Sequence, residues 1–190
     1  MSDLLTAQAE RPASLRSVNM RTLSPFQRSL LVIDGTVTKF IEAYTMEPVD
    51  IIRLSQDATN LAEDHVWLEA AEGSQVTVRE VLLRSRYSDQ VYAYARALIV
   101  QDRLPNGVRE RLEVQGESIG LVLNESKLET HREVLWYGRE RLEKLPKVIA
   151  NLSNVEFISR TYRIIAAGQP IMMINERFPC YDRDRLPAHH

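Results

Sequence analysis

The stretch Pro170-Ile171-Met172-Met173-Ile174-Asn175-Glu176-Arg177-Phe178-Pro179 decides how this chain is read, because it sets one carboxylate inside an otherwise apolar strand. Strand side chains alternate between faces, so Glu176 shares a face with Met172, Ile174 and Phe178, a set that belongs in a core. A carboxylate there needs a cation, a donor or a ligand, since an unpaired buried charge is strongly unfavourable. Ile171 and Met173 lie with Asn175 on the other face, so periodicity alone leaves the inward face open.

The same alternation, applied upstream, finds two cations among apolar neighbours. Arg79 shares its face with Val81 and Leu83, and Arg96 shares its face with Tyr94, Leu98 and Val100. Spacing leaves two readings open. One is a buried ion pair or triad. The other is an enclosed pocket for an anionic ligand, in which an arginine makes a forked pair with a carboxylate and Glu176 handles a proton.

Around these residues the chain alternates helix and strand signals. Residues 1–20 lack clear periodicity and read as a loosely held arm before a domain over residues 21–188. Ser24-Pro25 is an N-cap with proline at the first helical position, followed by the stripe Phe26, Leu30, Leu31 and Ile33. Asp34-Gly35 breaks that helix and Thr36 can cap a second, Val37 to Tyr44. Lys39 is the only basic residue in this second helix, which argues against DNA binding. Val49 to Leu54 reads as a strand, with the polar Ser55 to Asn60 leading away from it, and Leu61 to Ala71 is ambiguous. Val76 to Arg86 and Val91 to Gln101 read as a hairpin. Val108 to Val114 has helical spacing, and Gln115 to Gly120 forms a small-residue loop that permits close backbone approach. Leu128 to Tyr137 is a further strand, and Glu156 to Ala166 joins Ile171 to Phe178 through Gly168-Gln169-Pro170. Successive strands with short turns argue for an α+β fold around an antiparallel sheet.

Composition narrows the function. The chain has 190 residues, enough for one domain holding a core and an internal pocket, and a net charge of −2 gives no general attraction for nucleic acid. The single Cys180 excludes an internal disulfide and a Cys-rich zinc site. No apolar run is long enough for a membrane span and no signal peptide is evident, so a cytoplasmic location is expected. His189 and His190 read as the remnant of a tag. His65 and His131 have neither metal-ligand nor nucleophile spacing, and Glu125, Glu129, Arg132, Glu133 and residues 139–144 read as a solvated charged surface. The scattered glycines form neither a phosphate loop nor a dinucleotide fingerprint.

Three blocks, taken together, resemble the chorismate pyruvate-lyase (4-hydroxybenzoate synthase) family, most closely its cyanobacterial and mycobacterial-type branch. They are Leu31-Val32-Ile33-Asp34-Gly35-Thr36-Val37-Thr38-Lys39-Phe40, Val78-Arg79-Glu80-Val81-Leu82-Leu83, and the hairpin from Arg160 to Phe178. The resemblance implies a single domain with a six-stranded antiparallel sheet, helices on one face and helical flaps over an enclosed ligand site. It places the carboxylate-binding arginine on Arg79 and the acidic residue at the ring hydroxyl on Glu176. Backbone and apolar pocket contacts fall on Val37 and Ile119, where the better-known branch has methionine and leucine, and a further arginine falls on Arg96. It also implies conversion of chorismate to 4-hydroxybenzoate and pyruvate without metal or organic cofactor; a monomer or homodimer that binds no nucleic acid is expected. Glu176 is then expected to act as general acid toward the departing enolpyruvyl group or to position the ring hydroxyl. The alternative is a non-catalytic small-molecule sensor related to the effector-binding domains of winged-helix regulators; the short arm ahead of the fold argues against it.

Overall fold

A computed structural model describes residues 7–113 and 117–181. In it the strands are β1 (Val49–Asn60), β2 (Gln75–Ser85), β3 (Val91–Val100), β4 (Thr130–Glu140), β5 (Phe157–Ala166) and β6 (Gln169–Pro179). They form one antiparallel sheet in the order β1-β2-β3-β6-β5-β4, the α+β architecture expected. Two three-stranded meanders, one from each half of the chain, are joined where β6 pairs with β3. The stretch that carries Glu176 is therefore a central strand, which is why both of its faces are apolar. Four helices, α1 (Pro25–Val32), α2 (Val37–Thr45), α3 (Asn106–Glu113) and α4 (Ile119–Glu125), complete the main elements.

The helices cover one face in two pairs. Leu30, Leu31, Val37 and Ile41 of α1 and α2 pack on Leu83, Ala93, Ile158 and Phe178. Val108 and Leu112 of α3 and Val122 and Leu123 of α4 pack on Ala97, Ile99, Ile164, Met172 and Ile174. These helices have only seven to nine residues, too few to persist alone, so caps and packing hold them. Ser24 and Gln27 close a capping box at the start of α1, as the Ser-Pro signal predicts. Thr36 takes the N-cap position of α2 but makes no side-chain cap bond. Its side chain instead lies against Gly120, where an added Cβ would come within 3.0 Å of Thr36 Cγ2. This is the close approach that the small-residue loop foretells, although Val114 to Gly116 lie outside the described residues, as do residues 1–6 and the histidines at the end of the chain.

The opposite face is closed by short 3-10 turns. Leu68, in Val66–Leu68, packs on Val76 and Val100, and Ile149 and Leu152, in Lys147–Leu152, pack on Leu82 and Tyr94.

Two expectations change. Ser55 to Asn60 does not lead away from the first strand but continues it along the open edge of the sheet, where polar side chains are tolerated. The segment read as a loosely held arm is docked from Ala7 onward. The Ala7 N–H donates to the Leu135 carbonyl at 3.1 Å, and Arg16 and Arg139 exchange two backbone hydrogen bonds at 2.8 Å. Gln8 brackets Tyr137 through its amide, and Ala7 and Leu15 are buried with Leu135 and Trp136. The segment covers the edge of β4, satisfying backbone groups that would otherwise face solvent. Among the described residues no helix is long and apolar enough to cross a membrane.

Candidate active site

Between the two helix pairs the sheet carries a pocket, and its origin lies in β3. Ala93, Ala95 and Ala97 present only methyl groups on the helix-covered face, and Ala95 and Ala97 line the space so left. Val81 and Leu83 from β2, Ile164 from β5 and Ile174 from β6 extend its apolar wall. Gly35, Thr36, Val37 and Thr38 line it from the start of α2, and Ser118, Ile119 and Gly120 from the start of α4. Arg79, Arg132 and Glu176 are its charged members, and Tyr162 adds a phenol.

Glu176 is 9% exposed and its partner is Arg160, directly opposite on β5. Arg160 Nε donates to Glu176 Oε2 at 2.8 Å, and the Tyr162 hydroxyl donates to Oε1 at 3.1 Å. The Arg160 guanidinium also lies 5.0 Å from the Tyr162 ring centroid and donates through Nη1 to the Ile33 carbonyl at 2.7 Å. The carboxylate is thereby tied to the segment between α1 and α2. Burial alone would lower the Arg160 pKa, but the Glu176 carboxylate together with Tyr162 and Asp34 outweighs it and the net shift is upward. Burial first, and then the Glu176 charge, push the Tyr162 hydroxyl upward, so it stays a donor. Glu176 thus receives two hydrogen bonds, and its oxygens keep lone pairs for a further donor.

Arg79, 2% exposed, reaches toward the α3–α4 junction, donating to the Leu112 carbonyl at 3.2 Å and the Glu117 carbonyl at 2.7 Å. Burial, and after it the charge of Arg53, lower its pKa. An anion bound beside it would offset both effects.

Arg79, Glu176, Val37 and Ile119 come together in one pocket. Arg96 does not. Register places Arg96 opposite Glu80 and Asn175, whereas Arg79 stands opposite Ala97 and Ala97 opposite Ile174. Arg96 therefore points to the other face, where its half-exposed side chain pairs with Glu80 at 3.7 Å. Alternation identifies which residues of one strand share a face, but only pairing shows whether two strands present the same one.

Arg160, the partner of Glu176, and the pocket residues Tyr162 and Arg132 escaped the sequence reading. Arg160 shares a face with Ile158, Tyr162 and Ile164, so the test that singled out Arg79 would have found it in β5. Arg132 was read as part of a solvated surface, yet it lines the pocket. Its signal was weak because β4 shifts register between Val134 and Trp136, which interrupts the alternation after one step. His65 instead caps the Val66–Leu68 turn. Among the described residues no cluster of His, Cys, Asp or Glu is placed to hold a metal.

Residues 31–184 match the family of Rv2949c-like chorismate pyruvate-lyases. The chain belongs to this family. Two curated relatives, each named chorismate pyruvate-lyase, are 28% identical to it. The Mycobacterium leprae protein aligns over 171 residues, covering 87% of this chain and 79% of its own. The Mycobacterium tuberculosis protein (strain CDC 1551 / Oshkosh) aligns over 173 residues, covering 86% and 84%. The effector domain of PhnF from Mycobacterium smegmatis has the same fold, with a TM-score of 0.56 and 14% identity over 90% of this chain and 93% of that one. At that identity the likeness concerns fold alone. The three blocks that resemble the lyase family all meet at the pocket: the first contributes Gly35 to Thr38, the second Arg79, Val81 and Leu83, and the third Tyr162, Ile164, Ile174 and Glu176.

Proposed function

We propose that this protein converts chorismate to 4-hydroxybenzoate and pyruvate, with Arg79 holding the ring carboxylate and Glu176 accepting a hydrogen bond from the ring hydroxyl. The observation that carries the reading is the Glu176 carboxylate, fixed by Arg160 and Tyr162 in the wall of an apolar pocket that Arg79 also lines, in a chain of the chorismate pyruvate-lyase family. In the reaction the bond between the ring carbon and the ether oxygen breaks and the adjacent ring carbon loses its hydrogen. The released enolpyruvate gains a proton at its methylene carbon, so atoms and charge balance. Aromatisation drives the reaction, and the residues' share is to hold the ring and exclude water. Nothing in these steps calls for a metal or an organic cofactor. Val37 and Ile119, at the first turns of α2 and α4, close the apolar wall over the ring.

The test is to incubate the purified protein with chorismate and follow pyruvate and 4-hydroxybenzoate together. Equal amounts of both are expected above the spontaneous background. Glu176→Gln and Arg79→Ala should each remove turnover while the chain stays folded. Tight binding of chorismate with no product would overturn the lyase reading in favour of a sensor.

A further inference from the structure

The substrate proposed above carries two carboxylates, one on the ring and one on the enolpyruvyl group, and Arg79 accounts for one. A second carboxylate entering so apolar a site needs a second cation. Arg160 has a buried Nη2 without a hydrogen-bond partner, but its charge is paired with Glu176, its Nη1 is held by the Ile33 carbonyl and it does not line the pocket; Arg96 lies on the other face.

Arg132 meets the need. It lines the pocket and also an adjoining polar vestibule whose border includes Thr36, Asn124, Lys127 and the carboxylate of Glu129. Its ion-pair partner is Asp34, 3.6 Å from Nη1 and with a side chain that is 75% exposed; this is too long for a hydrogen bond and easily exchanged. Its Nε is buried without a hydrogen-bond partner, a costly state that a bound acceptor would relieve. Placement agrees with this role. Arg79 on β2 and Arg132 on β4 flank β6, each two strands away, roughly 10 Å in the plane of the sheet. With the ring carboxylate at Arg79 and the para hydroxyl at Glu176, the ether substituent sits on the ring carbon next to that hydroxyl and so leaves the ring at the end away from Arg79, the end from which Arg132 can reach it.

We propose that Arg132 is a specificity-determining residue that takes the enolpyruvyl carboxylate of the substrate in exchange for Asp34. The inference rests on the chorismate reading. It makes Arg132 selective for the dicarboxylate substrate over the monocarboxylate aromatic product, and places the departing pyruvate at the vestibule.

The experiment compares wild type, Arg132→Gln, Arg132→Lys and Asp34→Asn in full-length protein. Steady-state kinetics are measured with chorismate, and dissociation constants with chorismate and with 4-hydroxybenzoate. Arg132→Gln should raise KM for chorismate about 10- to 100-fold, the worth of a charge-assisted hydrogen bond, with kcat changed less than about threefold. Its affinity for 4-hydroxybenzoate should stay within about twofold of wild type, because that ligand lacks the second carboxylate. Arg132→Lys should recover part of the loss, and Asp34→Asn should lower KM by removing the competing carboxylate. Equal weakening toward both ligands, or an unchanged KM in Arg132→Gln, would overturn the assignment. If the wild type makes no product, the lyase reading fails by itself. Selective loss of chorismate binding in Arg132→Gln then still decides for Arg132, and its absence against it.

Discussion

Replacing Arg160 by methionine tests the centre of the site. The change keeps an unbranched apolar stem but deletes a guanidinium that is 1% exposed, and three contacts go with it: the 2.8 Å bond to Glu176, the 2.7 Å bond to the Ile33 carbonyl and the stacking over Tyr162. Glu176 would be left with the Tyr162 hydroxyl as its remaining donor among these contacts. Breaking a buried pair by removing one partner costs about 3–5 kcal/mol, well above the ~1 kcal/mol of an ordinary hydrogen bond, because the surviving charge is uncompensated. For a chain of this size that lowers Tm by roughly 6–20 °C. If the orphaned charge is the cause, adding Glu176→Gln should restore about 1–3 kcal/mol, since glutamine still accepts from Tyr162 but carries no charge. Urea unfolding, followed by the fluorescence of Trp67 and Trp136, measures both variants. The reasoning is refuted if Arg160→Met loses less than about 1 kcal/mol, or if the double variant is less stable than the single one.

Three further predictions concern the surroundings of the site. A Cβ at position 138 would lie 2.8 Å from the Arg16 carbonyl oxygen and 3.0 Å from Leu15 Cβ, so Gly138→Ala should unseat the N-terminal segment; trypsin should then cut after Arg16 faster than in wild type. Gly120→Ala presses on Thr36 Cγ2 at 3.0 Å and should wedge α4 away from the start of α2, changing turnover and product release; adding Thr36→Ser, which removes that methyl, should restore both. Burial holds the His65 imidazole below its usual pKa, and its Nδ1 accepts from the Leu68 N–H at 3.2 Å. As the pH falls below about 6.5 the unfolded chain therefore takes up a proton before the folded one does, so stability present at neutral pH is lost through that window. His65→Asn, which keeps an acceptor but does not titrate, should flatten the stability profile between about pH 7 and pH 5, as thermal melts across that range would reveal.

Much of the architecture was legible because its signals are local. Ser24-Pro25 marks the start of α1 through capping chemistry, and alternation along β2 and β6 places Arg79 and Glu176 among apolar neighbours whatever the rest of the chain does. The second half of β1 was missed because an edge strand needs no apolar alternation, and the docked segment from Ala7 because its hydrogen bonds run to a strand more than a hundred residues away. The choice of partner for Glu176 was equally illegible. Arg79, Arg96 and Arg160 each sit among apolar residues of their own strands, and nothing local ranks them.

Residue order alone thus determined that Arg79 and Glu176 sit among apolar neighbours, since that follows from the period of two within each strand. Tertiary structure decided what they face. By inserting β6 between β3 and β5, the sheet puts Arg160 against Glu176, turns Arg96 to the opposite side and brings Arg132 into the pocket from β4. Those outcomes depend on pairing between strands far apart in sequence, where a shift of one residue exchanges the two faces, and no pattern within a single strand carries that information.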